Sequence, residues 1–397
     1  MIVLTKIKKK TVRKIITIVI LVALIVMTYL TGRYLPTGIA DWYSLEVFPA
    51  LSNIPQKISA LTSVSFSEIT VVVCGCLALP LLILWMVLLI KKAMTKGIGK
   101  FLYQSFRNAL AVILVLLFFF EILHGLNYRR TPARLVMGLD SGNLTVEEYT
   151  GAFEWAYEGM IKARSELTED ENGVAKMSTG FAETAEYASK LVDSFCLEYG
   201  ITPYRSFSRA KSVRLSHYWS WTYIVGMYNP IYGEANINTD IDDLTALPMT
   251  ICHELCHSKG FANETDCNLL GALCCTTADR ADFRYCGYYN IYVTLLGELT
   301  KWIKQGFKYD THLGDVEIRP VIRDIMAASA YWKAIDKEVL EVQKLLGINI
   351  TDQALAANNQ FLESNGEKGG NETYNVPDNA YVHFYLKYVV SEGGKNA

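Results

Sequence analysis

Apolar residues crowd the first third of the chain, and after about residue 127 they change from continuous runs to helical spacing. Three runs approach the roughly 20 apolar residues that a bilayer-spanning helix needs, at about 15–35, 69–90 and 109–126. The first is too long for a cleaved signal peptide and further spans follow it. Pro80 in the second is a kink that a membrane helix absorbs. Glu121 and His124 stand towards the far end of the third, within reach of water. Beyond the runs, Tyr149, Phe153, Ala156 and Met160 recur at helical spacing, and a second helical pattern runs from Ser178 to a stop at Gly200.

The segment from Met227 to Asn238 mixes turn formers with an alternation after Gly233, which predicts an irregular or edge strand. Pro248 fits the first turn of a helix that reaches His257 and stops at Gly260, and a second helix starts near Asn263. Further helices are predicted at about 279–305, 316–346 and 352–364, followed by a glycine-rich loop at 365–371. The pattern gives a mostly α protein with a minor β element. Three transmembrane helices anchor it over 1–127, and one domain fills 128–397.

Composition narrows the partners. With 38 Lys and Arg against 40 Asp and Glu, no basic face stands out, so nucleic acid is excluded and the lipid bilayer is expected. Placement of the basic residues sets orientation. Lys6, Lys8, Lys9, Lys10, Arg13 and Lys14 precede the first run, and Lys91, Lys92, Lys96, Lys100 and Arg107 lie around the second connection. The 36–68 connection holds only Lys57. The positive-inside rule puts the N-terminus and second connection in the cytoplasm and everything after Asn127 outside, against a weaker pull from Arg129, Arg130 and Arg134. Cys196, Cys252, Cys256, Cys267, Cys274, Cys275 and Cys286 fall at helix-like spacings and read as small buried thiols ahead of disulfides.

The chemistry concentrates in His253-Glu254-x-x-His257. Two imidazoles four residues apart share one helix face and reach a single Zn²⁺, while Glu254 beside them can take a proton from an attacking water. A catalytic zinc needs a third protein ligand. Glu264, in the first turn of the next helix, is the choice, with Asp266 as runner-up. Asn268, one turn further on, can hydrogen-bond the far side of a ligand imidazole. Competing readings are a pair of core histidines, a stretched haem-attachment motif at Cys252 to His257, and a structural or inactive zinc site. Cleavage inside the membrane is disfavoured by Asp240, Asp242, Asp243, Lys259, Glu264 and Asp266 around the motif. For an oxyanion donor, Tyr285, Tyr288, Tyr289 and His312 are candidates that the sequence does not separate.

Several stretches carry a family resemblance: Gly125-Leu-Asn-Tyr128, Pro230-Ile-Tyr-Gly-Glu-Ala-Asn-Ile-Asn238, His253-Glu-Leu-Cys-His-Ser-Lys-Gly-Phe261, Glu264-Thr-Asp-Cys-Asn268 and Phe361-Leu-Glu-Ser-Asn-Gly366. On these the chain resembles bacterial membrane proteins grouped as domain-of-unknown-function family 3810, which look like zinc metallopeptidases. Asp266 and Cys267 depart from the family's Glu-x-Glu-Ala-Asn pattern, while Glu264 and Asn268 match it. The arrangement is similar to that of gluzincin peptidases, in which the glutamate is the third ligand. The same analogy makes Gly233, Glu234, Ala235 and Asn236 part of an edge strand that pairs with an extended substrate. The resulting expectation is a zincin-like domain outside a bacterial cytoplasmic membrane, a metalloendopeptidase acting on a peptide or protein substrate. The rival is a non-enzymatic sensor or assembly factor that uses such a domain to bind.

Overall fold

In lipid or out of it, an apolar run must satisfy its own backbone, and helix is the local way to do so. The computed structural model describes residues 2–140 and 142–391. Helix α1 (Ile2–Tyr34) is followed by α2 (Thr37–Trp42), a π-helical turn (Tyr43–Val47) and α3 (Phe48–Ser59). Then α4 (Phe66–Met94) and α5 (Ile98–Leu123) form a long hairpin. Ser65 starts α4 by accepting from the Glu68 amide at 2.9 Å, an N-cap that fixes where the helix begins.

The expectation of three spans is corrected. Among the described residues, two helices, α4 and α5, are long and apolar enough to cross a membrane, and almost none of their apolar surface is covered by the protein. The described apolar stretch of α1, Lys14–Met27, is shorter, and the rest of the run expected at 15–35 includes positions outside the described residues.

After a 3₁₀ turn (Gly125–Arg129) come α6 (Ala133–Val136), α7 (Val146–Ser165), α8 (Phe181–Glu198), β1 (Ala210–Val213), α9 (Ser216–Ser220), β2 (Gly226–Asn229) and β3 (Glu234–Asn238). The chain continues through α10 (Leu247–His257), α11 (Glu264–Thr276), α12 (Ala281–Lys304), α13 (Arg319–Leu346), α14 (Ile350–Ser364) and α15 (Asp378–Phe384). The mostly α reading with a minor β element holds. Helix α10 is the centre, packed on α8, α11, α12 and all three strands. Its apolar face, Ile251, Cys252, Leu255 and Cys256, meets Leu270, Leu273, Cys274 and Cys275 from α11, all buried. Each fully buried Leu or Ile here stabilises by roughly 1.5–3 kcal/mol. The seven downstream cysteines are buried free thiols, as their spacing implied.

The strands lie in the order β1-β3-β2, with β1 parallel and β2 antiparallel to β3. Strand β3 is therefore the middle strand, not an edge. All five of its residues are buried.

The connection between α1 and α4 is not a loose loop. Ser44 donates to Asn127 Oδ1 at 2.8 Å, and the Asp41 carboxylate accepts from the amide and hydroxyl of Thr131, both at 2.7 Å. Gln56 Oε1 accepts from the Phe207 amide at 2.9 Å. Residues on both sides of the apolar hairpin thus build one packed body.

Candidate metal centre

Helix α10 ends where Gly260, at φ +75°, takes the left-handed conformation that lets the chain reverse. The returning helix α11 lies close against the motif turn because Gly271 has no side chain. A Cβ there would stand 3.2 Å from both the His253 amide nitrogen and the Met249 carbonyl oxygen. Arg130, just past the 3₁₀ turn, braces the reversal. Its guanidinium donates to Lys259 O at 2.7 Å and Ile201 O at 2.9 Å and stacks 3.9 Å from the centre of the Phe261 ring.

This packing brings together the residues that the spacing nominated. Glu264 Oε2 lies 3.0 Å from His253 Nε2 and 3.7 Å from His257 Nε2. The opposite ring nitrogens are held: His253 Nδ1 by Asn268 Oδ1 at 2.7 Å, and His257 Nδ1 by Phe261 O at 2.8 Å. Asn268 is itself oriented by donating to Tyr374 O at 2.6 Å. Acceptors on both Nδ1 atoms fix the tautomer in which each Nε2 offers a lone pair, so the two imidazoles and one carboxylate fit a tetrahedral divalent ion of the zinc type. Burial disfavours the charged form of His257, yet Glu264 and Glu254 push its pKa up to about 9. Burial raises the Glu264 carboxyl, but the two histidines more than offset this and hold it well below the usual range. The carboxylates thus favour positive charge between the rings, which a proton on His257 or a divalent ion in its place would supply.

Glu254 is placed differently. Its Oε2 is buried with no hydrogen-bond partner, and burial pushes its pKa upward against the opposing pull of His253 and His257. Gly226 on β2 covers it so closely that a Cβ there would sit 2.5 Å from Glu254 Oε1. An unpaired buried carboxylate oxygen costs stability and calls for a ligand or a function.

Two other candidates for the third ligand fall away. Asp266 points elsewhere, accepting from the Ala133 amide at 2.8 Å. Cys267 Sγ lies 3.3 Å from His257 Nδ1, the ring edge already held by Phe261 O, and burial keeps its thiol protonated.

Of the oxyanion candidates, Tyr285 donates to Asp324 at 2.8 Å in the core, Tyr288 packs edge-on to Trp155, and His312 pairs with Glu154 and Asp315. Tyr289 faces Tyr285, its pKa raised by burial and by Asp243. Sequence reasoning passed over the residues that do line the site. His124 closes α5 with its ring 5.6 Å from that of His257, and Tyr128 packs edge-on to His124 at 5.4 Å. The Tyr128 hydroxyl is buried without a partner, and burial together with the nearby Glu264 keeps it protonated. Tyr228 on β2 stacks on His257 at 5.9 Å. The signal available was Gly125-Leu-Asn-Tyr128 following a histidine at a span's end.

The substrate-strand assignment is corrected. Glu234 is fully buried, paired with Lys211 at 2.7 Å, and also accepts from Ser59 Oγ at 2.9 Å and from the Ser67 amide and hydroxyl, both at 2.7 Å. Asn236 bonds Ser65 at 2.6 Å, Ala235 is buried, and a Cβ on Gly233 would strike Gln56 at 2.6 Å. With neighbours on both sides, β3 has no edge for a substrate. The outer strands are β1 and β2, and of these β2 is the one that covers Glu254.

No curated protein and no solved structure matches the chain. A family does match, over residues 43–377, from the π-helical turn before α3 to just past Tyr374. With most of its length covered, this chain belongs to DUF3810, a family of proteins of unknown function.

Proposed function

We propose that the protein is a membrane-anchored zinc-dependent metalloendopeptidase whose catalytic domain faces outward from a bacterial cytoplasmic membrane. The observation that carries this reading is the convergence of both Nε2 atoms on Glu264, beside a Glu254 oxygen that has no partner. His253, His257 and Glu264 would hold the ion. Zinc, when bound, acidifies water and polarises a carbonyl. Glu254, raised in pKa and with one oxygen unpaired, takes the proton from the attacking water and hands it to the leaving amine. Tyr128, with a free buried hydroxyl beside the ligands, is the donor best placed for the developing oxyanion.

Orientation rests on the hairpin. The site lies by the end of α5, while Lys91, Lys92, Lys96 and Lys100 sit around the turn at its other end, so a cytoplasmic basic turn puts the site outside. The rival reading, a sensor or assembly factor with a zincin-like binding module, draws on closure of the site, since His253, Glu254, His257 and Glu264 are all buried.

One experiment separates them. The full chain and its Glu254→Ala variant are assayed for bound zinc and for cleavage of a diverse peptide library. Stoichiometric zinc in both, with cleavage only by the wild type, is expected. Zinc without any cleavage favours the rival, and no zinc removes both.

A further inference from the structure

We infer that this site works at the bilayer surface and that its substrate is a membrane-anchored polypeptide, cut in the segment next to its own span. The inference rests on the peptidase reading and names its substrate class.

Three independent features set the level of the membrane. The first is α3, whose amphipathicity is reversed. After Phe48 and Pro49, its buried residues are the polar Ser52, Gln56 and Ser59, while Leu51, Ile54 and Ile58 are 37, 63 and 56% exposed and Leu61, in the turn just after the helix, is 86% exposed. Leu51, Ile54 and Ile58 recur at steps of three and four on one helix face, and Leu61 continues the apolar surface. The one basic residue of α3, Lys57, is turned back over the Phe207 ring at 4.3 Å. Trp42 and Ile39 on α2 are exposed beside this helix, and an outward Trp is characteristic of membrane–water interfaces. A helix with its polar face inward and apolar face outward wants lipid. Continuity gives the occupant: six residues after α3 the chain enters the lipid-length helix α4.

The second feature is the seating of the sheet. The β2–β3 turn rests on the first turns of α4, with Tyr232 Oη 2.7 Å from Thr70 Oγ1 and its ring edge-on to Phe66. Glu68, also in the first turn of α4, accepts from the Leu215 amide at 2.8 Å. From that level β2 runs from Asn229 to Gly226, which covers Glu254. Three strand steps of about 3.3 Å put the catalytic carboxylate roughly 10 Å further along. The third is His124, the residue that caps α5, standing against His257. A peptide pairing with the open edge of β2 would reach Glu254 within a few residues of leaving the bilayer. A free peptide in solution gains nothing from this placement. A tethered one is held at the site at high local concentration.

The test uses the full chain, loaded with zinc, in phosphatidylethanolamine–phosphatidylglycerol vesicles. One randomised peptide library is offered free, fused about five residues from a transmembrane helix, and fused through a flexible spacer of about forty residues. Cleavage of the short-tethered form at least about tenfold faster than the other two is expected. Equal rates, or faster cutting of the free or long-spacer form, overturn this inference and leave the peptidase reading intact. No cleavage of any form overturns both.

A second measurement does not need activity. An environment-sensitive fluorophore is placed on Ile54→Cys in a chain whose exposed Cys74 and Cys76 are alanine. Quenching by nitroxide-bearing lipid and shielding from iodide are expected. Free quenching by iodide, or shielding from both quenchers as a protein partner would give, overturns the placement.

Discussion

Glu234 and Glu254 are both buried carboxylates, and the sequence alone gave reason to assign a function to each. The structure separates them by hydrogen-bond supply. Glu234 has a fully buried lysine, serine hydroxyls and backbone amides directed at it, and burial is outweighed so that its pKa is lowered. Glu254 keeps one oxygen without any partner, and its pKa is raised. A saturated buried charge fastens the sheet to the start of α4. An unsaturated one has an oxygen that fastens nothing, and it is the one that the proposed mechanism uses. Burial alone does not tell these roles apart; satisfaction does.

That contrast can be broken most sharply at Glu234. Glu234→Gln leaves Lys211 buried without its counter-charge and should lower unfolding free energy by about 3–5 kcal/mol, read from denaturant midpoints. Glu254→Gln should leave the midpoint unchanged or raise it, because no partner is lost. A similar loss in both variants would end the distinction.

Next in size is the roof over Glu254. Gly226→Ala forces Glu254 aside, and turnover should fall by up to about 10²-fold with zinc content unchanged. Undiminished turnover would mean that Glu254 is not used where it stands. Behind the ligands, Asn268→Ala removes the acceptor on His253 Nδ1 and should weaken zinc binding about 10–100-fold in a competition titration.

The smallest effect lies in pH. The folded pKa of Glu234 is depressed, so its stabilisation is complete above the ordinary carboxylate value of about 4.3 and is lost as pH falls through the lower folded value. Melting temperature should be flat near neutrality on this account and drop below about pH 4, with that part of the acid slope absent in Glu234→Gln. An unchanged slope in the variant would show that other carboxylates carry it.

Much of the centre was legible because it is local. Helical period puts His253 and His257 on one face, Gly260 supplies the reversal, and a start near Asn263 brings Glu264 and Asn268 back one turn apart. The middle position of β3 was not legible. Alternation after Gly233 reports a strand but not its neighbours, and β1 reaches it from more than twenty residues upstream.

The sequence by itself determined the motif helix, the hinge, the placing of Glu264 rather than Asp266 beside the two histidines and the mostly helical class, since each depends on residues within a turn or two of one another. Only the tertiary structure decided that His124 and Tyr128 stand over His257, that Glu234 is a fastening and that α3 turns its apolar face outward. Those facts depend on which distant segments meet, and a side chain's role is set by the partners that packing supplies.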